Sequence, residues 1–155
     1  MPRNRDLSIL ESPVAQHLLH STVAANLAFV WKDGAPRVAP IWFTWDGVRI
    51  VMGSPPGALK VRALLANPAA TLTIERAEFP YQVLTIGGTA EVIRSEEVPT
   101  PEYAACAVRY LGPERAGPWV AQFRQRFDHF YRIAVTPDWV RLLDLEGRLP
   151  GTSRS

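Results

Sequence analysis

The residues best placed to do chemistry lie between Ser54 and Arg62. A loop of small residues, Ser54-Pro55-Pro56-Gly57, runs there into Ala58-Leu59-Lys60-Val61-Arg62. A helix N-terminus presents free N–H groups and the positive end of a dipole, so anions settle there. Two cations beside it make a site of phosphate size. Without the loop, Lys60 and Arg62 would read as solvated charges on an amphipathic face. Other candidates are weaker. His17 and His20 share a helix face but have no cysteine or carboxylate at ligand spacing, so no metal site is expected. Cys106, within Ala104-Ala105-Cys106-Ala107, reads as a buried hydrophobe rather than a nucleophile. Glu96-Glu97 ahead of Pro99 reads as a pair of solvated turn charges, and His129 as structural. No side chain is assigned a catalytic role.

The elements that must position the loop are written plainly into the chain. Asp33-Gly34 and Asp46-Gly47 are dipeptides that tolerate the positive φ of tight turns. Between them Arg37–Trp45 alternates, with Pro40, which cannot donate to a ladder, placed for an edge or bulge. Strands are therefore expected over Thr22–Trp31, Arg37–Trp45 and Val48–Met52, followed by a helix over Gly57–Ala66 that Asn67-Pro68 stops. Ahead of them Ser12-Pro13 opens a short helix that turns Val14, Leu18 and Leu19 inward and ends near His20. Beyond them, Ala70–Glu75 and Tyr81–Ile93 read as strands, the second bulged at Gly87-Gly88. Thr100–Leu111 and Pro113–Phe127 read as helices. His129–Val135 and Trp139–Asp144 are expected as two strands around a turn at Thr136-Pro137-Asp138. The connections are too short for parallel crossovers, so the strands predict a small closed antiparallel barrel with inserted helices.

Composition narrows the partners. The chain has 155 residues, 47% hydrophobic and 21% charged, enough for one domain over residues 1–145 with a loose polar tail at 146–155. A net charge of +2, with the basic residues scattered, excludes nucleic acid as the expected partner. No apolar run approaches the roughly 18 residues that span a bilayer, so no membrane is expected. The opening MPRNRDLSILESP lacks a continuous apolar stretch, and the single cysteine fits a reducing compartment. A cytoplasmic location follows as the expectation.

Five stretches, in order, carry a resemblance. Ala25-Asn26-Leu27-Ala28 with Asp33-Gly34-Ala35-Pro36-Arg37-Val38-Ala39-Pro40-Ile41-Trp42-Phe43 is similar to an opening AxLAT…DGxPxVxPxWF. Gly57–Leu64 with Asn67-Pro68 and Leu72 is similar to GSRKARNLxxNPxxxL, although Ala58-Leu59 stands where that pattern has Ser-Arg. Pro80, Tyr81, Gly88, Ala90 and Glu91 fit PYxxVxVxGxAE. Arg109-Tyr110-Leu111-Gly112-Pro113-Glu114-Arg115-Ala116 resembles RYxGxExA, and Ile133–Arg141 ends like xxVTPxxVR. Together they resemble the pyridoxamine-phosphate-oxidase-like, flavin-binding split-barrel superfamily, and within it the small flavin- or deazaflavin-dependent reductases.

The resemblance implies a six-stranded antiparallel split β-barrel and a homodimer with the cofactor in a groove at the interface. It implies an oxidoreductase that passes hydride to or from a small organic molecule. The cofactor is FMN or coenzyme F-420: the RYLGPERA segment favours the deazaflavin, the superfamily at large favours FMN. By position, Lys60 and Arg62 would hold the cofactor phosphate, Ser54 would lend a hydroxyl and Gly57 close backbone approach. Val38, Ala39, Pro40, Ile41 and Trp42 would pass along the ring. The other tryptophans read as core or interface packing; Trp42 either packs or stacks on the ring. Gln82 falls one residue out of register with the glutamine of pyridoxamine-phosphate oxidases, and EGRLPGTSRS lacks their substrate-phosphate residues. Oxidation of pyridoxamine phosphate itself is therefore not expected. The alternative is a non-catalytic split barrel that binds flavin or haem.

Overall fold

The computed structural model describes residues 3–146. A 3-10 turn, Leu7–Glu11, precedes helix α1, Pro13–Leu19. Ser12 caps α1 as its type predicts: its Oγ accepts the Ala15 N–H at 3.3 Å, with Pro13 at the first helical position. The 3-10 turn was not anticipated. Its own cap is Asp6, whose carboxylate accepts from the Ser8 N–H.

The strands are β1 Ala25–Val30, β2 Pro36–Ile41, β3 Thr44–Trp45, β4 Ile50–Ser54, β5 Ala69–Arg76, β6 Gln82–Ser95 and β7 Phe130–Asp144. Helix α2, Leu59–Ala66, follows β4, and α3, Pro101–Leu111, and α4, Pro113–Arg126, join β6 to β7. One antiparallel sheet takes them in the order β2-β1-β5-β6-β7-β4-β3. The tight turns form where the Asp-Gly dipeptides stand, with Gly34 at φ 80° and Gly47 at φ 96°. Asp33 and Asp46 tie them by accepting the N–H groups of Ala35 and of Val48 and Arg49.

Strand residues at every second position fill the interior: Leu27, Ile50, Met52, Leu72, Ile74, Leu84 and Ile86 are all wholly buried. Helix α1 adds Ala15, Leu18 and Leu19 to the same core, and α2 adds Val61, Ala63 and Leu64. Burial of this kind contributes about 25 cal/mol per Å² of apolar surface and is what holds the sheet curled.

The expected run Arg37–Trp45 is not one strand. It breaks at Trp42-Phe43 into β2 and β3, which lie at opposite edges of the sheet. The chain steps from edge to edge at this point. Phe43 drops fully buried into the barrel core while Trp42 turns the other way, against the residues of α3 and α4. The ladder therefore has seven strands and does not close, which corrects both the closed barrel and the count of six. It is a split barrel, open where β2 and β3 part.

The expected turn at Thr136-Pro137-Asp138 is absent, and β7 runs through it unbroken. The ladder register steps from Gly87↔Trp139 to Gly88↔Pro137, leaving Asp138 as the extra residue of a bulge. The bulge expected at Gly87-Gly88 thus absorbs the proline, which has no N–H to offer a regular ladder. Glycine is needed there: a Cβ on Gly87 would lie 2.0 Å from the Trp139 ring. Of the expected tail at residues 146–155, Glu146 alone falls within the described residues.

Candidate functional site

Helix α3 folds over β4, and α4 packs on α3 beside the Trp42-Phe43 crossing. Helix α3 comes close because Gly53 has no side chain. A Cβ at that position would meet the Tyr103 Cβ at 2.7 Å and the Thr100 Oγ1 at 2.9 Å. The end of α3 then clamps the crossing. The Arg109 guanidinium donates to the Phe43 carbonyl at 3.1 Å, to the Leu19 carbonyl at 3.5 Å and to the Ser21 carbonyl. Next to it the Tyr110 hydroxyl donates to the Val23 carbonyl at 2.8 Å. The Tyr110 ring stacks on Trp42, with centroids 5.2 Å apart and planes within 8°. Tyr103, one heptad earlier on the same face, meets the same indole at 5.6 Å.

These contacts open a cleft of about 360 Å³. Pro40, Ile41, Gly53 and Pro55 line it beside one aromatic cluster, in which the Trp42 ring lies 5.6 Å from Tyr103 and 6.3 Å from Trp119, with Phe123 next to them. Trp119 donates its Nε1–H to the Tyr103 hydroxyl at 3.1 Å, which fixes both rings. Burial raises the Tyr103 phenol above its ordinary pKa, so it stays protonated and its own O–H remains able to donate.

Lys60 is the one charged residue among the described residues that line the cleft. It sits in the first turn of α2, where the Ala58 cap position offers no side-chain hydrogen bond. Burial pulls its ammonium below the usual lysine value, and no salt bridge reaches it among the described residues. A half-buried, unpaired ammonium at a helix start is a strong draw for an anion. The cleft as a whole suits a flat ring with an anionic end: aromatic and proline walls, one cation, and no acidic side chain among the described lining residues.

The structure brings some of the sequence-predicted residues together and separates others. Pro40, Ile41, Trp42 and Lys60 line the same cleft. Val38 and Ala39 lie earlier on β2 and do not line it; Val38 points outward, 66% exposed, and Ala39 packs on the core. Ser54 is fully buried, its hydroxyl nearest the Pro55 carbonyl at 3.4 Å. Gly53 faces the cleft, so strand alternation turns Ser54 to the other side. Gly57 takes φ 82° in the loop, with open space around it. Arg62 extends away from the cleft and lies over the Trp31 ring at 5.4 Å. Its partner there is an indole face, a cation–π contact.

Sequence reasoning missed Ala24, Gly53, Pro55 and the aromatic wall. One signal was present. Tyr103 and Tyr110 are seven apart and Trp119 and Phe123 four apart, so each pair shares a helix face. His17, His20 and Glu96-Glu97 lie away from the cleft, and among the described residues no cluster of metal-ligating side chains occurs.

Comparison with known proteins agrees with this architecture. An F-420 reductase superposes with a TM-score of 0.65 at 26% identity, over 81% of this chain and 94% of that one. A haem-binding protein from Mycobacterium smegmatis gives 0.61 at 23% identity, over 87% of this chain and 54% of its own. An FAD-binding protein from Mesorhizobium loti gives 0.56 at 17% identity, over 86% and 90%. Among curated proteins none matches by sequence. The sequence profile of one family, pyridoxamine 5'-phosphate oxidase, matches residues 12–144, from the serine that caps α1 to the last residue of β7. With sheet, crossing and cleft all inside that match, the chain belongs to the pyridoxamine 5'-phosphate oxidase family.

Proposed function

We propose that the protein is a flavin- or deazaflavin-dependent oxidoreductase acting on a small organic substrate. FMN and coenzyme F-420 are the two cofactors considered. The observation that carries the reading is Lys60, an ammonium with no ion pair among the described residues that lines an aromatic cleft. Its partner would be the cofactor phosphate. The ring would lie against the Trp42–Tyr103–Trp119 cluster and beside Pro40 and Ile41. Strand β2 pairs only with β1, so its free edge has N–H and C=O groups left to meet a ring's polar rim. When bound, such a cofactor supplies hydride transfer. The chain supplies orientation, a dry wall and the charge that holds the phosphate. The likeness to an F-420 reductase supports the deazaflavin, and the family supports FMN.

The same reading takes the protein as a cytoplasmic homodimer with the cleft at the interface. Val38 at 66% exposure and Leu59 at 42% give the β2 edge and the α2 start an apolar surface that a second copy would cover. Light scattering that finds a monomer at micromolar concentration would remove the interfacial site.

Titration of the protein with FMN and with F-420 in parallel, followed by tryptophan quenching, tests the assignment. Saturable binding of one of them is expected, weakened in Lys60→Ala by about tenfold to a hundredfold. That is the worth of one charge-assisted hydrogen bond, about 1.5–3 kcal/mol. No saturable binding of either, or an affinity untouched by Lys60→Ala, overturns it. Tight binding without turnover would mark a carrier of the cofactor.

A further inference from the structure

Lys60 is one of two lysines in the chain; the other, Lys32, stands exposed with its Nζ over the Trp31 ring at 5.5 Å. Lys60 is placed differently. It lines the cleft beside Trp42, Tyr103 and Trp119, and no salt bridge or hydrogen bond reaches its Nζ among the described residues. It is the second residue of α2, so its charge sits near the positive end of the helix dipole. Burial, the dipole and the lack of a carboxylate among the described lining residues all favour the neutral amine over the ammonium.

An amine that sheds its proton readily inside an aromatic cleft is a nucleophile for a carbonyl carbon. The rings beside it suit a flat aromatic ligand, and a cleft of about 360 Å³ has room for a small one. Tyr103 adds a proton donor to the same cleft. Its Oη accepts the Trp119 Nε1–H, burial keeps the phenol neutral, and its own O–H has no acceptor among the described residues. A neutral phenol assists the departure of a hydroxyl group, the slow part of condensation between an amine and an aldehyde.

We propose that Lys60 is a carbonyl-reactive amine, and that the cleft captures small aromatic aldehydes as imines on its Nζ. The Nζ lone pair forms the bond to the aldehyde carbon, the C=O pair moves to oxygen, and oxygen takes up a proton as nitrogen loses one. Departure of that hydroxyl as water then gives the C=N bond. Amine and aldehyde become imine and water, with nothing oxidised or reduced. The reaction shares its site with the proposed cofactor phosphate but needs no cofactor. An anion bound at Lys60 would hold the ammonium form and block it.

Salicylaldehyde is the probe, added to the whole protein without cofactor at about pH 8, below the lysine range. Cyanoborohydride fixes the imine by delivering hydride to its carbon, and peptide mass spectrometry locates the adduct. Lys60 is expected to label at least about tenfold faster than Lys32, at a rate that saturates with aldehyde. Lys60→Arg, which keeps a cation but cannot condense, should lose the saturable phase. Propanal, which has no ring to stack, should show none. In urea the preference for Lys60 should vanish, because it belongs to the cleft and not to the local sequence. Equal labelling of the two lysines in the native protein, no saturation with salicylaldehyde, equal saturation with propanal, or a preference that persists in urea overturns the proposal. Saturable labelling of Lys60 with no binding of FMN or F-420 leaves the imine chemistry standing and removes the cofactor reading; the reverse result removes the imine chemistry alone.

Discussion

Arg109 should be the most costly polar side chain to remove from this protein, and the cost can be worked from its contacts. Its guanidinium holds the carbonyls of Phe43, at 3.1 Å, and Ser21, with Leu19 at a longer 3.5 Å. These belong to the Trp42-Phe43 crossing and to the segment after α1, which no ladder bond joins. Arg109→Met keeps the length of the stem, which also packs on the Phe43 and Tyr110 rings. It removes every donor. Two firm hydrogen bonds from a charged donor are worth about 1.5–3 kcal/mol each. Against that, a partly buried guanidinium whose Nε finds no partner is no longer desolvated, which returns on the order of 1–2 kcal/mol.

The net expected loss is about 3 kcal/mol, or roughly a 10 °C fall in Tm for a chain of this size. Arg109→Lys can reach one carbonyl but not both, so it should lose about half as much. Tyr110→Phe removes a single neutral hydrogen bond and keeps the stack on Trp42, for about 1 kcal/mol. Urea unfolding followed by circular dichroism ranks the three. If Arg109→Met lies within about 0.5 kcal/mol of wild type, the clamp is not what holds the crossing. If Lys serves as well as Arg, the forked geometry is irrelevant.

Three further outcomes follow from named contacts. Burial lowers the folded-state pKa of Lys60 below the 10.5 of a free lysine, so the unfolded chain binds that proton more tightly. Stability should therefore rise with pH as the solution approaches 10.5, and Lys60→Met should abolish that gain; equal shifts in urea midpoint for both proteins between about pH 8 and about pH 10 would contradict it. Gly87→Ala drives a methyl into the Trp139 ring and should cost about 1–3 kcal/mol, most of it recovered in a Trp139→Leu background, as a double-mutant cycle would read. The Cys106 thiol is buried and pushed up to about 11, so a thiol reagent at about pH 8 should label it only after urea is added, and rapid labelling of the native protein would refute its burial.

What was legible in the sequence was local. Asp33-Gly34, Asp46-Gly47, Ser12-Pro13 and Asn67-Pro68 each set a turn, a cap or a stop through their own backbone chemistry, and each does so in the structure. The two breaks in the strand expectations were non-local. The alternation of Arg37–Trp45 contains no turn residue at Trp42-Phe43, because the chain is parted there by the Arg109 clamp, some 66 residues away. Thr136-Pro137-Asp138 looks like a turn because the glycines that accommodate Pro137 sit on β6. Ser54 was aimed wrongly by a single position. Strand alternation gives the cleft to Gly53 and Pro55 and turns the serine inward. The aromatic wall was missed for a related reason, since α3 and α4 were read for helicity alone and not for the faces that Tyr103, Trp119 and Phe123 share.

The RYLGPERA segment changes meaning once its contacts are known. In the sequence it leans toward a deazaflavin, as if its residues read the cofactor. In the fold, Arg109 is committed to main-chain carbonyls, and Tyr110 to the Val23 carbonyl and the Trp42 ring. Neither lines the cleft. Arg109 and Tyr110 can act on a ligand in the cleft only by fixing where Trp42 stands, which is a positioning role. On the proposed reading, selection between FMN and F-420 would come from the other groups that face the cleft, because Lys60 would hold the phosphate of either. The missing Ser-Arg pair at Ala58-Leu59 bears on the same point. Arg62 is occupied on Trp31, outside the cleft, so it does not stand in for the absent arginine. The grip on a phosphate narrows to one ammonium and the open start of α2, and that is why Lys60 alone should decide whether the cleft holds a cofactor.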